Sequence, residues 1–447
     1  MPNVRISNVD PGHSDEFEKP EIILTASAEV IQEFNRTWGT SVSYWGNDIA
    51  LDSLGNIFIA GTSFKSGNSY ELLLLKYNRT GDLQWERFWG KTYGDEGYAV
   101  AIDSSDDIYL TGFLRSGGGN KDMCVIKYNS SGEELWNRTW GNGNVEEVAG
   151  LAIDSSDNVY LSGYTSSFAV GGSDFCLVKY NSSGTQLWNR TWGGQLNDVG
   201  KNIALDKSGN IYLTGRSASF GAQNFDICLL KYNSSGDFLW NQTCGGNLDD
   251  NGADLALDSA NNIYVTGFIE TSGPNPREIC LVKFNSLSQY QWNQTWGLKS
   301  YYNDWGTAIA IDPSDNIYIW GTMGKAVSND EMILLKYNNL GQYQWNYTWG
   351  YGSIDHSGGI ILDSLNNIYL SGTTGIQEKS VLIKLNLITQ LPPSVFPNGD
   401  DDDNDEKGEE EAILGYDMLI LLGLICLTII IIPIKRYKST RNHRNKK

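Results

Sequence analysis

The chain has 447 residues and a formal net charge of −20, with 15 Trp and 24 Tyr beside 49 Gly. So acidic a chain excludes nucleic acid as a partner, because phosphate contacts need a basic surface; cations or basic surfaces suit it better. Abundant aromatics and glycine, with few helix formers, fit many short strands joined by tight turns.

Residues 1–32 carry no repeat and are expected to be poorly ordered. They also lack a signal peptide, since the apolar run Ile22-Ile23-Leu24 is far too short. Glu33 to Gly39, reading EFNRTWG, is a lone copy of a motif that recurs throughout the rest of the chain.

From there self-similarity dominates, and a fixed period is the signature of a repeat architecture. One unit reads GYAVAIDSSDDIYLTGF, then KDMCVIKYNSSG, then EELWNRTWG. Its Asp recurs at Asp52, Asp103, Asp154, Asp206, Asp258, Asp312 and Asp363. A Gly recurs at Gly61, Gly112, Gly163, Gly215, Gly267, Gly321 and Gly372. The Lys of the KYN element recurs at Lys76, Lys127, Lys179, Lys231, Lys283, Lys336 and Lys384, all at spacings of 51 to 54 residues.

Each unit holds four strand-like runs. The first is apolar with small residues interleaved, and a Ser/Asp/Asn/Gly turn suited to a tight hairpin follows. The second reads Ile-Tyr-Leu-Thr-Gly. The third, such as Met123 to Ile126, is apolar throughout, as a strand buried on both faces should be. The fourth carries two aromatics on one side, such as Trp136 and Trp140. Four short strands per unit predict a propeller blade. The last unit stops after its third strand, at Lys384-Leu385-Asn386, and the lone N-terminal fragment supplies the missing fourth. The reading is an all-β, seven-bladed β-propeller over residues 33–388, closed by its N-terminal strand so that no edge is left open.

The pattern D-x-x-[GDN]-N-I-Y-x-x-G, then x-L-x-K-Y-N, then G-x-x-x-W-x-x-x-W-G resembles the SBBP-type β-propeller repeat of bacterial and archaeal surface and secreted proteins. The likeness covers about four-fifths of the chain. It implies architecture and a surface role, and no assigned chemistry. Cys244 departs from it where a Trp is expected, which should loosen one outer contact.

Cys124, Cys176, Cys228 and Cys280 occupy one repeated position. Equivalent positions on neighbouring blades are too far apart for disulfides, which need Cα atoms within about 7 Å, so these cysteines read as small buried hydrophobes.

Two acidic series recur. Eight residues before each first-strand Asp stand Asp95, Glu146, Asp198, Asp250, Asp304 and Asp355, with Tyr44 breaking the set. They fall where one blade leads into the next and predict a ring on one face. Such a ring suits Ca²⁺ or a cationic ligand, because hard cations prefer oxygen; alternatively each carboxylate accepts backbone N–H bonds within its own loop. The second series, five residues ahead of the KYN lysine, is Glu71, Asp122, Asp174, Asp226, Glu278 and Glu331. Opposite charges at the two ends of one strand predict ion pairs between blades.

After Leu391-Pro392-Pro393 the composition changes. Asp400 to Glu411 holds nine carboxylates and one Lys, a self-repelling run that predicts an extended stalk over residues 389–411. Residues 412–434 form an apolar stretch long enough as a helix to cross roughly 30 Å of hydrocarbon. Residues 435–447 carry seven basic side chains, so this tail is expected in the cytoplasm and the propeller outside, as a single-pass membrane protein. The acidic stalk, apolar segment and basic tail together resemble archaeal C-terminal surface anchors. Without a signal peptide, a tail-anchored protein with a cytosolic propeller is the alternative. Ten N-x-[ST] sequons, at Asn35, Asn78, Asn129, Asn137, Asn181, Asn189, Asn233, Asn241, Asn293 and Asn346, favour the outside and mark glycosylation candidates.

Catalytic signals are sparse. His356 is the one histidine within the propeller, and no G-x-S-x-G, H-E-x-x-H or P-loop pattern is present. The expected function is therefore a non-enzymatic, surface-displayed binding, adhesion or scaffold module, with a membrane at its C-terminus, no cofactor beyond Ca²⁺, and an extracellular protein or glycan as ligand. The alternatives are a channel-centred propeller enzyme, such as a polysaccharide lyase, a hydrolase or a quinoprotein (whose G-x-x-x-W spacing is similar), and a structural envelope component.

Overall fold

The computed structural model describes residues 4–5, 28–39, 43–65, 69–90, 94–116, 119–222, 224–272, 277–297, 302–326, 329–350, 354–375 and 378–389. The stalk, the apolar segment 412–434 and the basic tail lie outside the described residues, among which no helix is long and apolar enough to cross a membrane.

Seven antiparallel sheets are arranged in chain order, each with four strands of the repeat. In the second blade, for example, these are Glu96–Ile102, Ile108–Arg115, Lys121–Tyr128 and Glu134–Trp140. The first strands of successive blades pack on one another all the way round, including the seventh on the first, so they line a central channel. The chain closes as the sequence predicts. Ala28–Trp38 is the outer strand of the seventh blade, paired with Lys379–Thr389 from Ala28↔Thr389 to Trp38↔Ser380. Both strands run beyond the repeat motif, so the sheet starts at Ala28 rather than residue 33. The seam onto the first blade is bonded at Tyr44 N to Glu378 O, 2.6 Å, and at Gly46 N to Thr373 Oγ1, 3.2 Å.

The repeated Asp and Lys that define the motif serve the lower rim and the blade interior. Asp103 Oδ1 accepts the N–H groups of Ser105 (2.9 Å) and Asp107 (3.0 Å), and its Oδ2 accepts Tyr109 Oη and Lys127 Nζ. One carboxylate thus folds the first turn and ties it to two strands. That turn places Asp106, Asp157, Asn261, Asp315 and Asn366 at φ of 58–63°, which is why the motif admits only Gly, Asp or Asn there. The KYN lysine lies over the Tyr of the second strand, 4.6 Å for Lys179 on Tyr160, and faces the Trp of the fourth, 5.8 Å to Trp188. The Trp ladder is therefore packing and cation–π contact.

The third strands form the core: Leu72 to Leu75 and Met123 to Ile126 have no exposure. Cys124, Cys176, Cys228 and Cys280 are free thiols in this layer. Cys244 does not loosen its blade. It is fully buried among Ile227, Leu229 and Ile269, and its backbone pairs in parallel with a short fifth strand, Val4–Arg5.

Candidate functional site

The blade topology puts the starts of the first and third strands and the ends of the second and fourth on one face, the upper rim. Both acidic series lie there. Asp95, Glu146, Asp198, Asp250, Asp304 and Asp355 are all at most 1% exposed. Glu146, Asp198 and Asp250 fasten their own loops and, like the other three, tie them to the end of the second strand. Asp198 accepts Gly194 N (2.7 Å), Ser217 Oγ (2.5 Å) and Ser219 N (3.2 Å). Asp250 accepts Gly246 N (2.8 Å) and Glu270 N (2.9 Å), and Glu146 accepts Asn142 N, Thr165 Oγ1 and Ser167 N. Asp95 accepts Arg115 N, Asp304 accepts Gly324 N, and Asp355 accepts Thr374 Oγ1 and Gly375 N. Among the described residues no three His, Cys, Asp or Glu side chains gather at metal-binding spacing.

The second acidic series corrects an expectation. Among the described residues its members lie away from the KYN lysines, because a strand of seven or more residues puts its ends on opposite rims. Those lysines serve the lower rim, as in Lys127–Asp103 (2.9 Å) and Lys179–Asp154 (3.5 Å). Asp122, Asp174 and Asp226 instead meet the first series across the blade seams. The point a Cβ on Gly245 would occupy lies 1.8 Å from Asp226 Oδ1 and 2.6 Å from Asp250 Oδ2; Gly193 stands likewise between Asp174 and Asp198, and Gly141 between Asp122 and Glu146. Asp174 Oδ1 and Asp226 Oδ1 are buried with no hydrogen-bond partner. Burial raises the pKa of Asp122, Asp174 and Asp226, and the facing carboxylate adds to this for Asp122 and Asp174. Burial, reinforced by Asp226 and Glu270, carries Asp250 to about 7.

The sequons divide by role. Asn78, Asn129, Asn181 and Asn233 each accept two backbone N–H groups within the second turn. Asn35, Asn137, Asn189, Asn241, Asn293 and Asn346 sit on the outermost strands, with Asn137, Asn189 and Asn346 exposed.

The repeat breaks down at the upper end of the channel. The residue after the position of Tyr44, Asp95, Glu146, Asp198, Asp250, Asp304 and Asp355 is Trp45, Glu96, Glu147, Val199, Asn251, Trp305 or His356 in successive blades. Its cross-strand neighbours are Thr62, Phe113, Tyr164, Arg216, Phe268, Thr322 and Thr373. Blades six, seven and one contribute stacked rings: Trp305 on His356 at 6.2 Å and Trp45 on Tyr70 at 5.5 Å. Blades two to five contribute charge. Lys121 pairs with Glu147, Arg115 reaches Glu96 at 3.9 Å, and Arg216 and Arg277 lie over Phe225 and Phe268 at 4.2 and 4.4 Å. Two first-strand carboxyls, Asp48 and Asp254, are raised by burial to about 7. The sequence reading missed this layer. Its one signal was negative: these positions do not repeat.

The architecture is that of a closed seven-bladed β-propeller, and the sequence comparisons agree. Residues 31–63 and 191–220 match the beta-propeller repeat family SBBP. Over 375 residues the chain is 22% identical to an uncharacterised WD repeat-containing protein of Acanthamoeba polyphaga mimivirus, covering 68% of this chain and 26% of that protein. It thus spans about a quarter of that relative's length. Among solved structures, a polysaccharide lyase of the ulvan lyase type superposes with a TM-score of 0.52 at 13% identity, covering 79% of this chain and 96% of that one. A lyase of that type bound to -[GlcA(1-4)Rha3S]- gives 0.51 at 12% identity, with the same coverage. At such identities the likeness is one of fold.

Proposed function

We propose that this propeller is a non-enzymatic binding module displayed on a membrane surface by the 412–434 segment, and that it takes its ligand at the upper mouth of the channel. The observation that carries this is the contrast between layers. Asp, Lys, Tyr and Trp recur blade after blade where the fold needs them, whereas the upper channel layer carries five different residue types over the seven blades and combines stacked rings with charge. A scaffold alone gives no reason for that difference; loops and rims on a rigid frame are where ligands are read.

The test is to screen the intact chain against glycans and surface proteins, then repeat the hits with Trp45→Ala and Trp305→Ala. Loss of binding with an unchanged melting temperature supports the reading. Binding indifferent to both substitutions, or no ligand at all, refutes it.

A second reading, a channel enzyme, is favoured by Asp48 and Asp254, whose carboxyls titrate near neutrality inside the channel. Acid–base catalysts need such values. Both side chains, however, are spent on backbone N–H groups of their own and the next blade, Val100 for Asp48 and Leu255 and Ile309 for Asp254. Turnover of a polysaccharide that Asp254→Asn abolishes would favour the enzyme.

A further inference from the structure

We propose that Lys201 and Arg216, at the upper channel end of the fourth blade, form the seat for the anionic group of an acidic glycan, a sugar carboxylate or sulfate. This rests on the binding reading above and names its ligand class.

The argument begins with the bulge in the first strand of that blade. The ladder to the second strand skips from Gly200 to Ile203, so Lys201 and Asn202 leave the pairing. The backbone beneath them is nevertheless fixed. Lys201 O accepts Ser162 Oγ at 2.8 Å, and Asn202 Nδ2 donates to Asp254 Oδ1 at 2.6 Å. A bulge held from both sides re-aims one side chain and keeps it there, and the side chain so presented is a lysine.

Arg216 is equally set. Its guanidinium lies over the Phe225 ring at 4.2 Å, which holds the planar group and leaves its edge for ligands.

Among the described residues neither cation has an ion-pair partner, although Glu147 and Asp249 lie close enough for their charge to act on Lys201 and Arg216. Among the described residues Lys201 makes no ion pair, while the nearby Glu147 is engaged by Lys121. Arg216 makes none either, and its Nε is buried without an acceptor. Burial and the charge of Arg216 lower the pKa of Lys201, with Glu147 opposing; burial and Arg277 lower that of Arg216, with Asp249 opposing. An unmade hydrogen bond from a buried donor is costly. In a chain with a net charge of −20, two half-buried cations close enough for one to act on the other are the exception. An oxyanion between them would satisfy the ammonium, the Nε donor and the guanidinium edge together, in the bidentate geometry that carboxylates and sulfates share.

The rings of the same layer select a glycan over an acidic peptide. Trp45 on Tyr70 and Trp305 on His356 are stacked at the mouth, offering flat apolar faces to the C–H faces of sugar rings, with the cations beyond them to take the charge.

The test is isothermal calorimetry on the full chain with four probes: oligogalacturonate, a heparin hexasaccharide, a neutral oligosaccharide of equal length, and poly-glutamate. At least one acidic glycan should bind, the neutral one at least about 10-fold more weakly, and binding should weaken as salt rises. Lys201→Met and Arg216→Ala should each lower affinity about 10- to 100-fold, with Arg216→Lys intermediate. Neither of the first two should lower the melting temperature, because each removes an uncompensated charge. If both variants bind as tightly as the parent, the anion seat is wrong while the binding reading stands. Failure of every acidic glycan also overturns the seat, whereas the binding reading falls only if neutral glycans and surface proteins fail too. Preference for poly-glutamate overturns the choice of glycan.

Discussion

Replacing Asp226 with Asn should stabilise the propeller, and only at neutral or higher pH. Asp226 Oδ2 accepts Ala222 N, while Oδ1 has no partner and faces Asp250 Oδ2 across Gly245. In Asp226→Asn the amide oxygen can keep the Ala222 bond and Nδ2 becomes a donor to Asp250, so repulsion turns into a charge-assisted hydrogen bond worth about 1.5–3 kcal/mol. Asp250 titrates at about 7 in the folded chain, above its unfolded value near ~4. The pair's contribution is therefore fully present below pH ~4 and is lost as pH rises through about 7. Unfolding entropy of about 2.1 cal/mol/K per residue over roughly 360 residues is near 0.8 kcal/mol per degree, so the variant should melt about 2–4 °C higher at pH 8 and almost unchanged at pH 4.5. Calorimetric melting of parent and variant from pH 4.5 to 8.5 measures both. An Asp226→Asn protein no more stable than the parent at pH 8 refutes the reasoning. So does a parent whose melting temperature rises with calcium and falls with EDTA, since a cation would then hold the two carboxylates together.

Two further outcomes follow from the same geometry. Gly184 has φ of 78°, and a Cβ there would lie 2.9 Å from Trp136 Cδ2. Gly184→Ala should cost about 2–4 kcal/mol in a urea titration, from left-handed backbone strain and a displaced seam, and a loss below about 0.5 kcal/mol contradicts that packing. Removing residues 28–38 strips the outer strand from the seventh blade and exposes the Lys379–Thr389 edge. Size-exclusion chromatography should then show self-association and calorimetry a broadened transition, whereas a monomer melting as the parent does would mean that ring closure is dispensable.

The candidate site was less legible than the fold because it depends on different distances. Blade number and closure rest on neighbours in sequence: turn residues, alternation and motif spacing all act within one unit. The seam carboxylates do not. Asp226 and Asp250 stand 24 residues apart in separate series, and only the curl of each blade onto the next brings their oxygens together. The expectation of ion pairs between blades failed for this reason: it matched opposite charges along the sequence, whereas the two ends of a strand lie on opposite rims. Lys201 and Arg216 were likewise invisible, because their positions vary from blade to blade and such variation looks like drift until the packing shows which of these side chains is charged, buried and without an ion-pair partner.

What the sequence determined by itself was the ring: seven units, four strands each, and complementary end fragments, because local turn chemistry and hydrophobic period suffice to specify a blade. What only the tertiary structure decided was the charge of the upper rim. Burial and the approach of neighbouring blades assign each ionisable side chain its partner, and neither can be read along one strand.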